Sequence, residues 1–93
     1  MRFTWHTAKN RLNLRRHQII FEEAIRIFEG PTVERLDDRF DYGELRMYAI
    51  GLVNDTEVTV IYTDRQHETR HIISAWKSTP SEQQAFWEEL EGR

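Results

Sequence analysis

The sequence contains no cysteine, which excludes a disulfide framework and any metal site built on thiolates. No apolar run approaches the roughly 20 residues of a membrane-spanning helix. The amino terminus, Met1-Arg2-Phe3-Thr4-Trp5, has no apolar stretch of the signal-peptide kind. A cytoplasmic protein is therefore expected. The four glycines, at positions 30, 43, 51 and 92, are scattered, so no glycine loop is available to cradle a phosphate. Ser74 lies in no Gly-x-Ser-x-Gly elbow, which argues against a serine hydrolase. Of the four histidines, His67 and His71 are four apart. They fall in a strand pattern and no HExxH supports them, so no metal and no cofactor is expected. Acids are missing from residues 1–20, which hold Arg2, Lys9, Arg11, Arg15 and Arg16.

What is present suits one domain over residues 1–93. Hydrophobic residues are 39%, enough for a modest core. The net charge of −3 argues mildly against bulk nucleic-acid binding. Its distribution is uneven. Glu22, Glu23, Glu29, Glu34, Asp37, Asp38, Asp41 and Glu44 crowd the middle against Arg26, Arg35 and Arg39. A basic pole could meet an anion and an acidic surface a cationic partner, or both could be ordinary solvated surface.

Arg2 to Trp5 alternates and reads as an edge strand. Thr7 fits a helix N-cap, and Lys9, Asn13, Arg16 and His17 then share one face, away from Ala8 and Leu12. Phe21, Ala24, Ile25 and Phe28 predict a second helix, ended by a left-handed Gly30 before Pro31. Short strands follow at 32–36 and 45–53, around a polar loop. Asn54-Asp55-Thr56 forms a hairpin turn into Val58–Thr63, which is apolar on both faces and so central. Thr69–Trp76 is the last strand. Thr79-Pro80-Ser81-Glu82 starts the final helix with a capping box. The order predicts an α+β fold: a small antiparallel sheet, two N-terminal helices and one C-terminal helix.

The two strands of residues 58–77 carry Arg65, Arg70, His71 and Lys77, and Lys9 and His17 could join them from the first helix. These side chains suit phosphodiester cleavage in RNA without a metal. RNA brings its own nucleophile, the 2′-hydroxyl. The protein then supplies a base, an acid and cations for the phosphate. Histidine titrates near neutrality, and arginine can hold two phosphate oxygens. Trp76 or Tyr62 could stack a base. The plain alternative is a set of surface ions beside an apolar sheet.

Six motifs in order resemble the BrnT family. They are Phe3-x-Trp5, Lys9-x-x-x-Asn13-x-x-x-His17, Phe21-Glu22-x-Ala24, Asp38-Arg39-x-x-Tyr42-Gly43-Glu44-x-Arg46, Val60-x-Tyr62-Thr63-x-Arg65 and Ile72-Ile73-Ser74-Ala75. The resemblance implies a RelE-like ribonuclease toxin of a type II toxin–antitoxin system. It also implies a ribbon-helix-helix BrnA-like antitoxin in a 2:2 complex, with operator DNA bound only through the antitoxin. On this reading Arg65, Arg70 and Lys77 hold phosphate, and His71 or His17 moves protons. Lys9, Asn13 and Arg16 bind the RNA backbone. The chain departs from the family at His6, where aspartate is usual, at His71 and Trp76, where arginines are common, and at Phe86, where a tyrosine is usual. Arg70 and Lys77 stand beside the two changed arginine positions. A partner-binding module without catalysis is the alternative.

Overall fold

The computed structural model describes residues 1–93. The chain runs β1 (Arg2–Thr4), α1 (Thr7–His17), α2 (Phe21–Ala24), a 3₁₀ turn (Ile25–Glu29) and β2 (Val33–Leu36). It continues with β3 (Met47–Val53), β4 (Thr56–Arg65), β5 (Thr69–Lys77) and α3 (Pro80–Glu91). The strands form one sheet in the order β1-β5-β4-β3-β2. β2 to β5 pair antiparallel, whereas β1 joins the outer edge of β5 in parallel. The predicted α+β class holds. No helix is long and apolar enough to cross a membrane.

β4 is central, as its two apolar faces predicted. On one face Val58, Val60 and Tyr62 join Phe21, Ala24 and Ile27 from beneath α2 and the 3₁₀ turn. On the other, Phe86 of α3 packs with Val33 and Ile50. The hairpin before β4 turns on Asn54 and Asp55, both with positive φ (49° and 64°). That is the two-residue turn whose twist matches paired strands. The capping box of α3 is formed: Thr79 accepts from the Glu82 amide, and Glu82 accepts from the Thr79 amide.

Three local expectations change. The second helix is one α-turn followed by a 3₁₀ turn, which sets Ile27 hard against β3. A Cβ at Gly51 would stand 2.7 Å from the Ile27 Cβ, so only glycine fits there. Gly30 is extended (φ −128°), so Pro31, not a left-handed glycine, marks the end. The cap of α1 is His6, and it makes no side-chain cap bond.

A fourth change is the most consequential. α1 turns its Asn13 face inward: Asn13 is buried, while Ala8 is exposed. The reason lies in the shortness of β1, which pairs β5 only from Thr69 to His71. The remaining edge of β5 needs another partner. Asn13 supplies it with a side-chain amide that mimics a peptide group. Its Oδ1 accepts from Ala75 N at 3.1 Å and its Nδ2 donates to Ala75 O at 2.8 Å. A second Nδ2 bond, to Ile19 O at 2.9 Å, closes the turn after α1. Asn13→Ala strands these groups in a buried place, where each costs about 1–3 kcal/mol. Urea unfolding should show about 2–5 kcal/mol lost, at unchanged m-value. A loss within measurement error would mean that this edge is held otherwise.

Candidate active site

β5 contains an irregularity that decides which side chains meet. Ile61 pairs with Ser74 but Tyr62 pairs with Ile72, so Ile73 is an extra residue. A bulge of this kind exchanges the two faces of a strand on either side of it. Ala75 and Ile72, three apart, accordingly share the helix-covered core. Past the bulge His71 faces away from α2, level with Thr63 of β4 and Thr4 of β1, while Arg65 pairs with Thr69 one step further along that face.

On this face His6, Lys9, Glu44, Arg46, Arg65 and His71 line an open cleft of about 260 Å³, floored by Ile72 and Ile73. His6 precedes α1 and Lys9 sits in its first turn, so the docking of α1 through Asn13 carries both to the cleft. The rings of His6 and His71 are 5.1 Å apart and nearly perpendicular (74°). Thr4 Oγ1 and His71 Nδ1 are hydrogen-bonded at 2.9 Å, leaving Nε2 of that ring for the cleft. His71 is only 6% exposed. Burial chiefly, then Arg65 and His6, push its pKa below 6.5, with Glu44 opposing. The ring is therefore neutral at pH 7.

The cations of the cleft differ in their freedom. Arg46 donates to Glu44 at 3.1 Å and lies 3.9 Å over the Tyr42 ring. Lys9 and Arg65 make no salt bridge, and Arg65 is exposed. No cluster of three His, Asp or Glu side chains is placed to hold a metal ion.

The other residues singled out from the sequence lie elsewhere. Arg70 points through the opposite face. It grips Asp64 with two bonds of 2.7 and 2.9 Å, lies 4.0 Å over Tyr62 and 4.9 Å over Phe28, and sits 3.7 Å from Glu34. Asp64 first of all holds its pKa above the usual arginine value. Tyr62 is buried and donates to Glu34, and burial chiefly raises its pKa, so no nucleobase can reach it. Lys77 lies at the far end of β5 opposite Val58, beside Leu14 and Gln18. His17 packs near Trp76, with ring centroids 6.0 Å apart. That is about 12 Å along α1 from Lys9 at 1.5 Å rise per residue. Arg16 is exposed in the last turn of α1 and Asn13 is the buried edge partner described above. The structure thus unites Arg65, His71 and Lys9, and separates Arg70, Lys77, His17, Arg16 and Asn13 from them. His6, Glu44 and Arg46 join the cleft without having been singled out for it. Their one sequence signal was their place in or beside the family-like motifs.

The sequence model of BrnT, the ribonuclease toxin of type II toxin–antitoxin systems, matches residues 5–82. The chain belongs to the BrnT family. The solved structure of the Brucella abortus ribonuclease toxin BrnT superposes with a TM-score of 0.65. That match covers 85% of this chain and 97% of that one, at 21% identity, and supports the same fold. No curated protein matches the sequence.

The neutral His71 makes the stability of this BrnT chain depend on pH. The unfolded imidazole titrates near 6.5 and the folded one below it. Above pH 6.5 the stabilisation is fully present, and it is lost as pH falls through the folded value. Urea midpoints measured from pH 7.5 to 5 should therefore drop for the wild type and drop less for His71→Asn. Equal slopes for the two proteins would contradict this assignment.

Proposed function

We propose that this chain is a metal-independent endoribonuclease toxin acting in the cytoplasm, with the cleft around His71 as its active site. The observation that carries the reading is the contrast among cations. Arg70 is saturated by its own carboxylates, whereas Lys9 and Arg65 stand free beside a buried, neutral imidazole. Free cations there are available to an anionic substrate, and a neutral imidazole is available as a base.

In this mechanism Arg65 and Lys9 hold the non-bridging oxygens of the scissile phosphate, with Arg46 at the rim. His71 takes the proton of the 2′-hydroxyl through Nε2, while Thr4 holds the ring by Nδ1. As oxygen attacks phosphorus, charge on the phosphoryl oxygens grows, and the Arg65 guanidinium stabilises it. Trp76 and His17 lie on the track along α1, where a flanking nucleotide could stack. Arg16, exposed beside His17 in the last turn of α1, offers a further phosphate contact. Arg70 serves from behind the sheet as a pin for the β4–β5 end.

Neutralisation falls to a BrnA-like ribbon-helix-helix antitoxin in a 2:2 complex, which carries the contacts to operator DNA. Phe40 and Leu45 are 70% and 67% exposed on the connection that bears Glu44 and Arg46. A partner covering this apolar surface would also roof the cleft. The net charge of −3 leaves direct DNA binding to that partner. The non-catalytic alternative draws on His71 itself, because an imidazole lacks the bidentate fork of the arginine common at this position in similar proteins.

Purified Arg65→Ala and His71→Ala proteins should each cleave RNA about 100-fold or more slowly than wild type. Chelation with EDTA should leave the wild-type rate unchanged. Arg70→Met should lower the unfolding midpoint yet cut within a few-fold of wild type per folded molecule. Wild-type rates in the Arg65 and His71 variants would remove the site. Absence of any cleavage alongside tight antitoxin binding would favour the non-catalytic module.

A further inference from the structure

His71 can accept one proton in RNA cleavage, but the departing 5′-oxygen needs another group to donate one. The ribonuclease reading leaves that place open, and the following inference rests on that reading. Two imidazoles stand edge to face in the cleft, and their surroundings differ. His71 is buried under the sheet edge and tied to Thr4. His6 is exposed to water at the mouth, and its side chain makes no cap bond to α1. Around the pair stand Lys9 from α1, Arg65 from β4, and Glu44 and Arg46 from the β2–β3 connection, with Arg2 and His67 at the outer rim.

Adjacent imidazoles resist being protonated together, because each positive ring disfavours the other. The ring that water reaches is the one placed to exchange protons with solvent and to donate. The buried ring is left as the acceptor. An in-line displacement needs a base at the attacking oxygen and an acid at the departing one, and unlike environments can divide two like groups between those tasks.

We propose that His6 is the general acid, protonating the 5′-oxygen as the RNA strand breaks. In the step, the 2′-oxygen forms a bond to phosphorus and its proton passes to His71. The bond from phosphorus to the 5′-oxygen breaks, and that oxygen takes the proton of His6. The products are a 2′,3′-cyclic phosphate and a 5′-hydroxyl. No oxidant, reductant or co-reactant is needed, and water exchanges the proton from His71 back to His6. His6 thereby becomes a second catalytic residue of this chain, drawn from the loop before α1 and not from the sheet.

A change of leaving group tests this directly. The cleavage site of wild-type protein is mapped on a mixed-sequence RNA. An oligoribonucleotide is then made with that linkage either natural or bearing a bridging 5′-sulfur. A thiolate departs near neutral pH without a proton, so the sulfur substrate has no use for an acid. His6→Ala should cut the natural linkage about 100-fold more slowly than wild type, yet cut the sulfur linkage within about threefold of it. The alkaline fall of the wild-type pH–rate profile should vanish in His6→Ala. His71→Ala should be slow on both substrates. Far-UV circular dichroism checks each variant; His6→Asn replaces an unfolded His6→Ala, and His71→Asn an unfolded His71→Ala. A wild-type rate for His6→Ala on natural RNA, or an equal loss on both substrates, overturns the role of His6 alone. Failure of the wild-type protein to cut the mixed-sequence RNA overturns the ribonuclease reading, and this inference with it.

Discussion

One side-chain amide holds the outer edge of this sheet together. Asn13 meets both the N–H and the C=O of Ala75, as a neighbouring strand would. The sheet needs it because β1 stops after three residues. An unpaired outer edge on β5 would leave backbone groups without partners, and none of the buried side-chain polar atoms lacks one in this fold. The same contact fixes α1 in rotation and position. Lys9 lies one turn before Asn13 and on the same side of the helix, so the bond that completes the sheet also delivers a cation to the cleft. Asn10 reinforces the arrangement by accepting from the Phe21 amide, which starts α2 beneath the core.

The arginines of the chain differ sharply in how they are paired. Arg70 lies within ion-pair distance of two carboxylates and stacks on two aromatic rings. Removing Arg70 would expose a neighbourhood of acids built around it, so its value lies in the fold. Arg35 is likewise spent on Glu89, tying β2 to α3. Arg39 is spent on the buried Asp37, whose carboxyl it chiefly holds below the usual range. Arg65, by contrast, ends β4 with its guanidinium unpaired and near enough to His71 to oppose protonation of that ring. Charge counting along the sequence treats all of these arginines alike. Only pairing distinguishes them.

Much of the architecture was legible before any coordinates. Local chemistry carries those parts: the Asn54-Asp55 turn, the Thr79–Glu82 capping box and the doubly apolar β4 all depend on residues close in sequence. The α1 face was misjudged for a reason of the same kind. Helical periodicity assigns apolar residues inward, and Asn13 is polar. A buried asparagine becomes favourable only when a specific distant partner, Ala75, is unsatisfied without it. The parallel pairing of β1 and the 3₁₀ tightening over Gly51 are also contacts between remote segments. The expectation that Tyr62 could meet a nucleobase failed because its neighbours, Phe28 and Glu34, lie far away in the chain.

By itself the sequence determined the α+β class, the positions of most strands and helices, and a store of cations and imidazoles of the right chemistry. It did so because hydrophobic spacing and turn residues act over a few neighbouring positions. Tertiary structure alone decided which of those groups meet. The extra residue at Ile73 reverses the faces of β5, sending His71 to the cleft and Arg70 to the opposite side. In an unbroken strand alternating from Ala75, the two would have exchanged places. The pairing of β5 with β4 creates that bulge, and no pattern within either strand alone specifies it.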